Sequence, residues 1–393
     1  MELTDVTVDG IATGGAGVGR LEDGRVVFVD GALPGEQVSV VITEMRDRFA
    51  RARTSAILGA DPERVQPLCP SVDAGCGGCD MQHASHDRQR HLKRRIVVES
   101  IERLGKVADP PVSIGAPLAA WRYRTSLRCM VSDGVVALRR RRSHDPIVID
   151  GCMVADPLLE ELLTEGHFGS AREVTLRVGA RTGERMAIVS PKVRDVRLPD
   201  DVLVVGADEL RRGRRAWVHE RVADHLFRIS ARSFFQTRPD GADRLVTEVS
   251  AALGPSGGAL VDLYGGVGLF AATAGSKHSV TVVEQNRSSV ADARVNLADR
   301  EARVIRSRVE DWKPAAADVV VADPSRSGLG AIGAAQIAAT GARRAVLVSC
   351  DPASLGRDVG LLHDDGYDLV GSTLVDLFPQ TSHIEVVSSF DRR

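Results

Sequence analysis

Along the first part of the chain, short apolar runs alternate with polar positions. VVFVD (26–30) and QVSVVI (37–42) show the pattern, and glycine-rich turns such as GIATGGAGVG and LEDGR separate the runs. A period of two marks strands with one buried face. Many short strands joined by glycine turns predict a small β-barrel over residues 1–58. GGAGVG is not a dinucleotide fingerprint, because another strand follows it where a helix is needed. Residues 59–230 are mixed. A Cys/Gly-rich loop, CPSVDAGCGGC, leads to a helical pattern from 86 to 104. Alternating runs then follow (SLRCMV, GVVALRR, EVTLRVG, RMAIVS, DVLVVG, AWVHE) and predict a β-rich platform. From 231 to 393 the pattern changes again. Continuous apolar runs (ALVDL, SVTVVE, DVVVAD, AVLVSC) alternate with helical segments, and HIEVVSSF ends the series. That repetition predicts a doubly wound parallel sheet, whose ligands sit at the carboxyl ends of the strands. The expected fold class is therefore multi-domain α/β in three parts.

Composition narrows this little. The 51 Lys+Arg nearly balance the 53 Asp+Glu, so net charge does not point to a polyanionic partner. The arginines are clustered, however, at 88–95, 139–142 and 211–215. Each cluster reads either as solvated surface or as a phosphate-binding patch. MELTDVTVDG lacks a basic and an apolar signal region, and no apolar run approaches the ~18 residues of a membrane span. A cytoplasmic, reducing location is the expectation, which makes disulfides an unlikely use for the six cysteines.

The strand ends carry the candidate chemistry. ALVDL runs into Tyr264-Gly265-Gly266-Val267-Gly268, and SVTVVE ends in Glu284, twenty-two positions after Asp262. Glycines allow close backbone approach to a ligand, and an acid ending the second strand can accept both ribose hydroxyls. The short GGVG turn suits S-adenosylmethionine better than NAD. DVVVAD ends in Asp323-Pro324-Ser325-Arg326, with arginine where an aromatic would stack a base for attack on an exocyclic amine. AVLVSC ends in Cys350. A thiolate there can add to carbon 6 of a pyrimidine and make carbon 5 nucleophilic. A base must then remove the carbon-5 proton, and Glu385 is the candidate. Cys69, Cys76 and Cys79 form C-x6-C-x2-C, with Cys152 distant. By spacing alone these four fit zinc or an iron–sulfur cluster equally. Cys129 reads as a core thiol.

With SFFQT (233–237), DLYGGVG (262–268), VVE (282–284), ADPSRSG (322–328), VSCDPASLGRD (348–358), DLFPQTSHIE (376–385) and CGGCDMQHAS (76–85), the chain resembles the RNA uracil-5 methyltransferase family. The likeness is to the bacterial branch carrying a TRAM domain and an iron–sulfur cluster, and it covers nearly the whole chain. It implies a TRAM/OB-like RNA-binding barrel, a central domain with a four-cysteine cluster loop, and a Rossmann-like class I S-adenosylmethionine-dependent methyltransferase domain. It also implies Cys350 as nucleophile and Glu385 as base. Gln236, Tyr264, Glu284 and Asp323 would line the cofactor and uracil site, and Cys69, Cys76, Cys79 and Cys152 would hold a 4Fe–4S cluster, with zinc the alternative. The expected partner is RNA, 23S ribosomal RNA before transfer RNA, with no DNA or membrane, and the chain is expected to be a monomer. Gly265, Leu269 and Ser325 depart from the family pattern, where Cys, a polar residue and Pro are frequent. Two other readings compete: an RNA-binding or assembly factor with a degenerate methyltransferase fold, and an enzyme of free nucleotides.

Overall fold

The computed structural model describes residues 3–255 and 257–393. Met1 and Glu2, part of the expected barrel, lie outside them. The barrel is closed by Leu3–Ile11, Gly17–Arg20, Val26–Asp30, Phe49–Gly59 and Gln37–Met45, in that order around it. Alternate valines and alanines, among them Val6, Val8, Val27, Val29, Val38 and Val40, turn inward and fill it. Closure leaves no free sheet edge.

The middle region forms a six-stranded sheet in the order Val202–Gly206, Arg185–Ser190, Glu173–Val178, Ser126–Ser132, Val135–Arg139, Pro146–Val148. The helix Pro157–Glu165 packs Leu159, Leu162 and Leu163 into its core, with Cys129 buried among them. A hairpin, Trp217–Val222 with His225–Ser230, stands beside it.

The last part is built on an eight-stranded sheet in the order Ala302–Arg306, His278–Glu284, Gly258–Leu263, Val319–Ala322, Arg344–Ser349, Val386–Arg392, Tyr367–Leu374, Val112–Ile114. Val386–Arg392 alone runs antiparallel to both of its neighbours. Buried clusters cover both faces, so the central strands read as unbroken apolar runs rather than alternating ones. The helix His86–Ser100 and the edge strand Val112–Ile114 come from ahead of residue 231 and join this core. The helix expected to residue 104 is α-helical to Ser100 and widens into a π-type turn over Ile101–Gly105. There Gly105 packs directly on Gly356 and Val359.

Among the described residues, no helix is long and apolar enough to cross a membrane.

Candidate active site

Four parallel strands end on the same side of the sheet, and the residues following them meet there. Gly258–Leu263 leads into Tyr264, His278–Glu284 ends in the acid itself, Val319–Ala322 leads to Asp323, and Arg344–Ser349 leads to Cys350. Glu385 arrives from the other direction. Its strand is antiparallel, so the strand's start lies at this edge, and Val386 pairs with Ser349. Cys350 and Glu385 therefore each adjoin one member of a single cross-strand pair.

Burial shapes the electrostatics. Glu385 is 4% exposed. Desolvation, then the nearby Asp323, pushes its carboxyl well above the usual range. Burial raises Asp323 to about 7. Burial raises Asp262 to about 8, with further contributions from Asp323 and Glu284. The Cys350 thiol is pushed up to about 12 by burial first and then by Glu385 and Asp323, while Arg326 pulls it down. Like charges this close cannot all ionise at neutral pH, so the crevice stores protons.

The turn after the first catalytic strand has the shape of a cofactor cradle. Tyr264, Gly266 and Gly268 have φ of 57°, 55° and 89°. Nothing lies within 4 Å of where a Cβ on Gly266 would point. A Cβ on Gly265 would come within 2.6 Å of Val282 Cγ1, so the glycine keeps the turn tight against the second strand. Glu284 accepts hydrogen bonds from Gly266 N at 3.1 Å and Asn286 N at 2.5 Å, one on each oxygen, and retains lone pairs for a ribose. Asp262 Oδ2 accepts from Ala271 N at 3.1 Å, while its buried Oδ1 has no partner. An orphaned buried acceptor beside a glycine cradle fits S-adenosylmethionine, whose amino and hydroxyl groups are donors. Leu269 points into the core and is 7% exposed, so no polar contact arises there. Ser325 Oγ and Ser327 Oγ, 3.0 Å apart, tie the loop where proline is frequent in the family. Tyr264 packs against the apolar core, its hydroxyl near Gly333 of the helix Gly330–Ala339.

Gln236 is 9% exposed, in the segment following the hairpin. Asp292 anchors the start of that segment by accepting from Ser230 N, Ser230 Oγ and Ser233 Oγ at 2.9, 2.8 and 2.6 Å. Phe234 stands 68% exposed two residues ahead of Gln236.

The structure adds a clamp that the sequence reading missed. The segment 376–385, which delivers Glu385, is held from several sides. Lys93 Nζ donates to Asp376 Oδ1 at 2.6 Å and to the Phe378 carbonyl at 3.0 Å. Gln89 exchanges hydrogen bonds with Gln380 at 2.7 and 3.1 Å. Tyr123 Oη donates to the Pro379 carbonyl, and Asp80 accepts from Ser382 N and Oγ at 2.6 and 2.7 Å. A signal existed: Gln89, Leu92, Lys93, Ile96, Val97 and Ser100 are the buried face of one helix, at spacings of three and four. Gln89 and Lys93, long polar side chains in the phase of an apolar stripe, announce buried partners. In the basic run 88–95 Lys93 is buried, Arg88 donates to Asp61 at 2.7 Å and Arg94 to the Val112 carbonyl at 2.7 Å, while Arg94 and Arg95 stay exposed.

The metal expectation is corrected. Cys69, Cys76, Cys79 and Cys152 do line one small pocket. Among the described residues, however, no group of three or more His, Cys, Asp or Glu side chains could hold a metal ion. Desolvation raises Cys76 and Cys152, and it raises Cys79 to about 12. Neither a 4Fe–4S cluster nor zinc is supported, and the expected cluster loop is a loop packed on the middle sheet through the Cys76–Arg140 bridge.

Strand order, glycine cradle and acid-lined crevice together define a class I methyltransferase using S-adenosylmethionine, joined to a small β-barrel. Residues 2–54 match the TRAM domain family model. An uncharacterized RNA methyltransferase of Streptomyces avermitilis is 36% identical, over 98% of each chain. One of Streptomyces coelicolor is 35% identical, over 98% of this chain and 92% of its own. The chain belongs to this family of TRAM-domain RNA methyltransferases and is a S-adenosylmethionine-dependent RNA methyltransferase. The fold is that of the crystal structure of Pyrococcus abyssi tRNA (uracil-54, C5)-methyltransferase in complex with S-adenosyl-L-homocysteine. That match has a TM-score of 0.75 and 22% identity, covering 98% of this chain and 99% of that one.

Proposed function

We propose that the protein methylates carbon 5 of a uridine in structured RNA, with Cys350 as nucleophile and Glu385 as base. The carrying observation is the pairing of Ser349 with Val386, which sets a thiol and a buried carboxyl at one sheet edge beside the glycine cradle. The Cys350 thiol gives up its proton to solvent, the thiolate sulfur adds to carbon 6 of the flipped base, and the ring's π electrons move to oxygen 4. Bound S-adenosylmethionine supplies an electrophilic methyl group to carbon 5. Glu385 takes the carbon-5 proton, and the returning electrons expel the Cys350 sulfur. Glu284 and the Gly265–Gly268 turn hold the cofactor, and Gln236 and Asp323 orient the base. In this reading residues 1–58 dock the RNA, 59–230 form the platform and 231–393 carry out the chemistry.

The solved structure with this fold is a tRNA (uracil-54, C5)-methyltransferase, which favours transfer RNA over the ribosomal substrate expected from sequence. The test is 5-methyluridine mapping in RNA from a strain lacking the gene, with purified protein added back. Loss and restoration of 5-methyluridine at one position supports the reading. An unchanged 5-methyluridine profile, or methyl transfer to another base, removes it.

A further inference from the structure

A pocket of about 520 Å³ opens between the barrel and the middle region. None of its lining residues belongs to the crevice of Cys350 and Glu385. Phe28 and Arg51 are register partners on adjacent barrel strands and form one wall. The Arg51 guanidinium lies 5.7 Å from the Phe28 ring centre and 5.6 Å from that of Phe49. Arg141 and Arg142 form the facing side, with Arg142 paired to Asp30 at 2.7 Å. The side chains of Arg51 and Arg142 are 40% and 41% exposed, so both are within reach of a ligand. Asp80 also lines the pocket, and both its carboxylate oxygens hold Ser382, three residues before Glu385.

The chemistry is that of a nucleotide site. A ring with a guanidinium beside it is a stacking platform for a base, and clustered arginines meet phosphate. The volume falls in the roughly 300–1,000 Å³ range of small-ligand sites. We propose that this pocket holds a nucleotide of the RNA substrate flanking the target uridine, its base against Phe28 and Arg51 and its phosphate against Arg141 and Arg142. This rests on the RNA-methylating activity, and it adds to that activity the recognition of a neighbouring nucleotide at a site apart from the Cys350 crevice.

The probe is total RNA from a strain lacking the gene, bound to the full chain on filters and methylated in parallel. Phe28→Leu keeps the apolar bulk and removes the ring, and Arg142→Gln removes a charge. Each should weaken RNA binding about tenfold, the scale of one lost stacking or phosphate contact. kcat at saturating RNA and S-adenosylmethionine affinity should not change. Arg142→Gln should also flatten the salt dependence of binding. Arg128→Gln, a substitution of an exposed arginine on the middle sheet, is the charge control and should leave binding unchanged. Cross-links from 4-thiouridine-substituted RNA should map to Val26–Asp30. Unchanged binding in both pocket variants, an equal loss in Arg128→Gln, or cross-links confined to other segments would overturn the proposal. Methyl transfer to a base other than uridine would instead remove the functional reading, while the binding and cross-linking results would still judge the pocket.

Discussion

Glu385→Gln separates the methyl-transfer step from the release step. The side chain keeps its shape, so packing at a site 4% exposed is preserved. Cys350 can still add to carbon 6 and carbon 5 can still be methylated, but the carbon-5 proton then has no positioned acceptor. Burial excludes bulk water as a substitute. A general base contributes typically ~10²–10⁴-fold, or about 3–5 kcal/mol of barrier. Turnover should fall by that factor while a covalent protein–RNA adduct, already methylated, accumulates. Glu385 is also a neighbour that, after burial, raises the Cys350 thiol, so its replacement should not slow adduct formation. The assay is a denaturing gel with labelled RNA, run with and without S-adenosylmethionine. Turnover at the wild-type rate with no adduct refutes the role of Glu385.

Cys350→Ala should abolish turnover and adduct and leave S-adenosylmethionine binding by calorimetry unchanged; methyl transfer above a few per cent of wild type refutes the nucleophile. Asp262→Asn should stabilise the unliganded protein increasingly as pH rises from about 4 to about 8. The folded state holds that proton more tightly than the unfolded chain, so wild type loses stability through this window, and the gap in denaturation free energy should widen by up to about 1.4 kcal/mol per pH unit. A gap independent of pH contradicts it. Lys93→Met should cost about 3–5 kcal/mol in urea denaturation by leaving Asp376 buried beside His86 alone, and Lys93→Met with Asp376→Leu should recover most of that. A loss below about 1 kcal/mol in the single variant would refute the pair's importance.

Local pattern carried much of the fold. VVFVD, EVTLRV and RMAIVS have strand periodicity and are strands, and the runs ALVDL, DVVVAD and AVLVSC are central strands because two covered faces demand unbroken apolar sequence. What was not legible is long-range. Nothing near Val112–Ile114 states that it will pair with Tyr367–Leu374, some 260 positions on. The cysteines show the other limit. Spacing suggested Cys69, Cys76, Cys79 and Cys152 as one group, and they line one pocket, yet ligand geometry depends on side-chain directions, which spacing does not encode. In the same way a run of basic residues cannot reveal that Lys93 is fully buried, whereas its phase in the apolar stripe can.

The resting crevice sets a condition on the proposed chemistry. A thiol held near 12 is a poor nucleophile at neutral pH, and burial pushes the Glu385 and Asp323 carboxyls beside it up as well. Both facts have one cause, the exclusion of water from a site crowded with acids. The positive groups of the site, Arg326 near Cys350 and the sulfonium of the cofactor, act in the opposite sense and favour the anionic forms. Loading the cradle therefore lowers the cost of ionising the thiol and Glu385 together, and a uracil ring whose oxygen 4 accepts the displaced electrons gives the sulfur's charge a place to go. On this account the unliganded enzyme keeps a reactive cysteine silent, and the complete set of substrates is what turns it into a nucleophile.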